Sequence, residues 1–180
     1  MKKLILALFV LLLAQNYCLS QSKIFVGGGI SVYGNESQKM VNTSFEPEIG
    51  YVIGSRYEAG LIYSFKRMHS YDYEFDGTSN SISGFFRFFF ADRNTFNFGT
   101  DIALSYSNTD KSFQQSFDYN RPRNGFEFGF KPLMTYQIGN HTRLIFQFGF
   151  IGIRQNYSNF DNMFGANFSF NEVKFAFNLY

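Results

Sequence analysis

His69 and Ser70 are neighbours in this sequence, a base beside a hydroxyl. Acyl transfer needs such a base within hydrogen-bond reach of its nucleophile, and adjacency along a chain does not set that geometry. His69 lies in a long polar connection and His141 in a short turn, at opposite ends of the fold argued below. They are therefore expected to share neither a metal nor a catalytic dyad. Asp72, Glu74 and Asp76 alternate in Asp72-Tyr73-Glu74-Phe75-Asp76-Gly77, like part of a calcium loop, but the closing glutamate is missing. Gly27-Gly28-Gly29 is followed by no Lys-Ser/Thr and opens no helix, so it is not a phosphate loop. The sequence predicts no catalytic, cofactor-binding or metal site, and a lipid-modifying enzyme built on Ser70 and His69 is the weakest of the functions weighed.

The chemistry that remains is ionic. Glu46, Glu48, Glu58, Arg87, Asp101, Glu127, Lys131 and Arg143 each fall in an alternating segment, on its less apolar parity. Successive side chains of a strand point to opposite faces. The spacing predicts that these eight face the inside of a closed sheet and pair there, because a buried charge without a partner is costly. The interior of an eight-stranded barrel is just wide enough for side chains to fill. Paired charges would therefore plug it.

Eight segments must position those charges. Residues 95–106 are the clearest. Phe96, Phe98, Ile102, Leu104 and Tyr106 alternate with Asn97, Gly99, Asp101, Ala103 and Ser105. Fully extended, this run reaches roughly 40 Å, and about 9–11 tilted residues cross a bilayer. The others are 23–33, 43–53, 57–65, 81–90, 125–137, 142–154 and 164–180. In 142–154, Leu144, Phe146, Phe148 and Phe150 are expected on one face, opposite Arg143, Gln147 and Gly149. In the last segment the apolar parity changes near Asn171-Glu172-Val173, where a bulge would restore one face and turn Lys174 inward. The connections 34–42, 66–80, 107–124 and 155–163 are long and polar, whereas 54–56, 91–94 and 138–141 are short. No window has a 3.6-residue apolar period, so no helix is expected in the folded part.

The chain carries 26 Phe and 12 Tyr, and so many rings need an apolar place to go. In a bilayer every backbone polar group needs a protein partner, so strands span only as closed barrels. A lipocalin-like barrel would invert the pattern, with rings inside and charges in water. Strand length, the long-short alternation of connections and the excess of Phe decide for the membrane. Tyr51, Tyr57 and Tyr136 at one rim, and Tyr33, Tyr63 and Tyr106 at the other, would form aromatic girdles. The formal net charge of +2, with no basic run, argues against nucleic acid as a partner. Residues 1–20 read as a signal peptide: Lys2 and Lys3, an apolar stretch over 4–14, and Cys18-Leu19-Ser20 before Gln21. Cleavage there removes the only cysteine. The expectation is an all-β protein: residues 21–180 as an eight-stranded antiparallel up-and-down transmembrane β-barrel. It would sit in the outer membrane of a Gram-negative cell with both termini periplasmic.

Phe45-Glu46-Pro47-Glu48-Ile49-Gly50-Tyr51, followed by a turn and Tyr57-Glu58-Ala59-Gly60-Leu61, resembles the small outer-membrane β-barrel family common in Bacteroidetes. Gly84-Phe85-Phe86-Arg87-Phe88-Phe89-Phe90 is similar to that family's aromatic strand around an arginine. The resemblance implies an OmpA/OmpX-like barrel with PorT-like relatives. It implies no single activity, since some members serve secretion or gliding machinery. The expected function is non-enzymatic. A plugged barrel would present loops to a surface ligand, the lipopolysaccharide layer or an envelope protein. Tyr71, Tyr73, Phe75, Phe113, Phe117 and Tyr119 are the loop aromatics placed to make adhesive contacts. A subunit of a secretion or gliding machine and a narrow channel are the alternatives.

Overall fold

The computed structural model describes residues 24–35, 40–70, 75–93, 95–110, 124–139, 141–158, 162–168 and 174–180. They form ten strands: β1 (Ile24–Asn35), β2 (Met40–Val52), β3 (Tyr57–Ser70), β4 (Phe75–Arg93), β5 (Phe96–Thr109), β6 (Asn124–Gln137), β7 (Thr142–Gln147), β8 (Phe150–Gln155), β9 (Met163–Asn167) and β10 (Lys174–Leu179). Each of β1 to β5 pairs with the next strand in sequence, always antiparallel. β7 and β8 pair one after the other with β6, so together they form one interrupted stave. β9 and β10 form the next, pairing with β8 and β7 respectively. β10 then meets β1, with Val26 opposite Leu179 and Ile30 opposite Phe175. The result is a closed eight-stranded antiparallel barrel, with no helix among the described residues.

The parity of the sequence becomes the inside and outside of this ring. In β5, Asp101, Ala103, Ser105, Ser107 and Thr109 are buried, while Leu104 and Tyr106 between them are exposed. Ladders between neighbours hold the alternation in register. Arg87 stands opposite Asp101 and Asp101 opposite Lys131, which puts all three side chains on the inner face. Pro47 has no N–H to give. The β2–β3 ladder lapses between Phe45↔Phe65 and Glu48↔Ile62 without changing register.

Four sequence expectations need correction. The long connections are shorter than their polarity suggested, because hydrogen bonding continues beyond the apolar rows. Lys66–Ser70 belong to β3 and Phe75–Asn80 to β4, with Lys66 opposite Ser79 and His69 opposite Asp76. Phe75 is therefore not a loop residue: its backbone opens β4 opposite Ser70. The single segment 142–154 is broken at Phe148-Gly149. There the ladder to β6 passes from Leu133↔Gln147 to Phe130↔Ile151, four steps on one strand against three on the other. Gly149 takes a left-handed φ of 71°, which suits a residue without a Cβ. Beyond this bulge the parity is reversed. Phe150, expected on the apolar outer face, is fully buried inside, and Ile151 and Ile153 face out. In the last stave Phe164 and then Phe175 and Phe177 are exposed. The parity does change between β9 and β10, and the expected bulge site, Asn171-Glu172-Val173, lies outside the described residues, as does the side chain of Lys174.

Candidate functional site

The lumen contains two ionic groups. The larger centres on Arg87 of β4, whose side chain is almost wholly buried. Its Nε and Nη2 donate to the two oxygens of Asp101 on β5, at 2.7 and 3.0 Å. Its Nη1 lies 3.2 Å from Glu58 Oε2 on β3 and 3.2 Å from Glu48 Oε1 on β2. Arg143 of β7 donates across the barrel to Glu58 Oε1. Three neutral groups finish the shell: Gln147 donates to Asp101 Oδ2 at 3.1 Å, Asn178 to Glu48 Oε1 at 3.2 Å and the Tyr180 hydroxyl to Glu58 Oε1 at 3.1 Å. The smaller group centres on Glu127 of β6. Its two oxygens lie 2.5 Å from Lys131 Nζ and 2.5 Å from Arg154 Nε.

Each buried guanidinium also lies on a ring. Arg87 sits 4.8 Å from the centroid of Phe85, and Arg143 between Phe89 at 4.9 Å and Tyr180 at 4.6 Å. Arg154 lies 3.9 Å over Phe150. A desolvated cation on an aromatic face gains about 2 kcal/mol, which offsets part of the cost of burying it. The rings fit inside the narrow lumen because glycines face them. A Cβ on Gly60 would stand 2.8 Å from the Phe85 ring, and one on Gly129 would stand 2.7 Å from that of Phe150.

Of the eight charges chosen from sequence, the structure gathers seven into these two groups: Glu48, Glu58, Arg87, Asp101, Glu127, Lys131 and Arg143. Glu46 stands two positions further along β2, where it accepts from Ser44 at 3.2 Å and Ser64 at 3.3 Å. Sequence reasoning missed Arg154, because the bulge at Gly149 reverses its parity. It also missed the inward rings Phe25 and Phe150. The signal for Arg154 was present: Phe150, Gly152 and Arg154 repeat the same-face spacing of ring, small residue and cation. With Arg154 included, the ionic groups contain the acids Glu48, Glu58, Asp101 and Glu127 and the bases Arg87, Lys131, Arg143 and Arg154. Four charges of each sign cancel.

Such an arrangement braces the barrel. It ties β2, β3, β4, β5, β7 and β10 together across one section, and β6 to β8 in another. No histidine lies within it. His69 and His141 are both exposed, at opposite rims. Tyr71, Tyr73, Phe113, Phe117 and Tyr119 lie outside the described residues, as do Asp72 and Glu74.

The outer surface is the complement of this interior. Phe45, Ile49, Leu61, Phe65, Ile82, Phe86, Leu104, Phe128, Phe130, Leu144 and Phe177 all project from the ring and are exposed. On β6 the apolar row runs from Phe126 to Tyr136, about 33 Å along the strand, or about 25 Å in height at the usual tilt of such barrels. Tyr51, Tyr57 and Tyr136 are exposed towards the rim that holds the chain ends, and Tyr63 and Tyr106 are exposed in one cross-strand row with Ile82. Beyond Phe65 on β3, Ile82 on β4 and Tyr106 on β5 the paired strands turn polar. No family model and no curated protein sequence matches this chain.

Proposed function

We propose that this chain is a non-enzymatic integral outer-membrane β-barrel. Its lumen would be closed by the ionic network and its far-rim connections turned to the cell exterior. The observation that carries this reading is the inside-out distribution of polarity: fully buried Arg87, Asp101 and Glu127 within a ring whose outer wall is a continuous belt of Phe, Leu, Ile and Tyr. Exposed apolar surface on that scale marks contact with another apolar phase. An apolar band about 25 Å tall is what a bilayer core requires of a barrel wall. Residues 1–20 would direct export and be removed. The resemblance to small Bacteroidetes barrels supports the same placement, with both termini periplasmic. Surface contacts would then be made by the far-rim connections, including the candidates Tyr71, Tyr73, Phe113, Phe117 and Tyr119.

The test is to extract the protein in detergent and compare heated and unheated samples by gel migration, then to treat intact cells with protease. Faster migration of the unheated form, with cleavage confined to the far-rim connections, is expected. A protein recovered from the aqueous fraction without detergent would overturn the reading.

A further inference from the structure

Beyond Arg87, towards the far rim, the lumen opens into a cavity of about 110 Å³. On this measure one water needs about 10–15 Å³, so the space takes roughly eight waters, or one solute of pentose or hexose size. Its ionisable lining is balanced, with Glu46, Asp101 and Glu127 against Lys66, Lys131 and Arg154. An ion therefore gains no net attraction from entering.

The wall presents acceptors. Ser31 and Ser44 hydroxyls bond each other at 2.7 Å, and Ser83 donates to Ser105 at 2.7 Å. A hydroxyl that spends its proton on the wall keeps lone pairs for a guest. The carboxamide oxygen of Asn42, a lining residue only 7% exposed, has no donor among the described residues. A buried acceptor without a donor costs about 1–3 kcal/mol, which a hydroxyl-bearing guest would remove. Two rings, Phe85 and Tyr157, complete the lining.

Residues 156–158 fold inward over this space. Tyr157 donates its hydroxyl to Ser81 Oγ at 3.1 Å, and the Ser158 amide donates to Ser107 Oγ at 2.9 Å. Ser158 holds a left-handed φ of 45° and Asn156 one of 51°, a conformation that costs serine and that asparagine adopts more readily. Gly125 makes room for them, since a Cβ there would stand 2.1 Å from the Asn156 carbonyl oxygen. The Asn156 amide also donates to Asn162 Oδ1 at 2.7 Å, so the strap is held over the space from both ends.

We propose that the cavity is a binding site for a small uncharged polyhydroxylated solute of the monosaccharide type. Asn42 and the wall serines would accept its hydroxyl protons, Phe85 and Tyr157 would pack on its C–H face, and the 156–158 strap would close over it. The proposal borrows from the membrane reading only which compartment supplies the solute. Binding in detergent can succeed where that reading fails, and the reverse.

The experiment uses the full folded chain in detergent, its ring closure verified by heat-modifiable migration. D-glucose, D-arabinose and sodium sulfate are titrated separately, the sugars followed by saturation-transfer NMR and the anion by its competition with them. Saturable binding of at least one sugar, unaffected by sulfate, is expected. Asn42→Ala should weaken it roughly fivefold, the loss of one hydrogen bond. Tyr157→Phe, which keeps the ring and releases Ser81, should speed dissociation severalfold. Ser64→Met, which fills the cavity from a partly exposed position, should abolish binding in a protein that still migrates as folded. This variant carries the test if Asn42→Ala does not fold. No saturable binding of either sugar by the wild type, displacement by sulfate, or unchanged binding in Ser64→Met would overturn the proposal.

Discussion

Arg87 is the side chain whose loss this protein should feel most. It faces Glu48, Glu58 and Asp101 at once, and all four groups are buried. Arg87→Ala would leave three carboxylates with only Arg143, Gln147, Asn178 and Tyr180 to satisfy them. Removing one partner of a buried pair costs about 3–5 kcal/mol. The expected result is a drop of that size in unfolding free energy, measured by urea titration of the folded form in vesicles. Exposed Arg56→Ala should stay within about 0.5 kcal/mol. Arg87→Lys should not rescue fully, because one ammonium cannot replace a planar fork that bonds Asp101 twice. The carboxylates around Arg87 could be found from the sequence, since parity puts them on one face with it and the outward placement of Phe leaves that face inside. Their exact partners could not be. The Arg143–Glu58 contact spans the lumen between strands that are not neighbours, and no local pattern encodes it.

At the scale of the elements, the bulge at Phe148-Gly149 decides which way Phe150, Ile151, Ile153, Arg154 and Gln155 point. Gly149→Ala would force a side chain into the left-handed region, at about 1–2 kcal/mol. Its Cβ would also stand 2.7 Å from the Phe168 ring. Gly54→Ala, in a turn where a Cβ meets nothing within 4 Å, is the neutral control. Denaturant midpoints of the two variants should separate accordingly. The same bulge shows why strand existence was legible here and strand register was not. Alternation over 95–106 or 125–137 is a sum over many residues and survives noise. A one-residue insertion in 142–154 leaves both halves alternating and only exchanges their faces, so Phe150 and Arg154 were assigned to the wrong side or overlooked. The polar ends of β3 and β4 were read as loop for a related reason. There neither face carries Phe or Leu in alternation, so pairing continues without its usual signature.

At the scale of the whole molecule, one substitution distinguishes a barrel in lipid from a barrel in water. Leu61 is 52% exposed in the middle of the outer belt, halfway between Tyr57 and Phe65 on β3. In water, Leu61→Arg would be close to neutral. In a bilayer, arginine at mid-depth costs about 2–4 kcal/mol. A loss of that size in vesicle-refolded protein is the expected outcome, and an unchanged stability would return the protein to the aqueous phase. Planar-bilayer recording makes a second check. With four acids and four bases paired inside the lumen, no large, steady current is expected.

The described ladder that shuts the ring joins β1 to β10 from Val26 to Ile30. Three of the β1 residues at this junction are Gly27, Gly28 and Gly29, which bring no side chains to grip the neighbouring stave. Under thermal agitation or mechanical pull the cylinder should unzip here first. Amide hydrogens on Val26–Ile30 should then exchange with deuterium well before those at the centre of β4. During assembly, this glycine-backed junction would be the last to fasten.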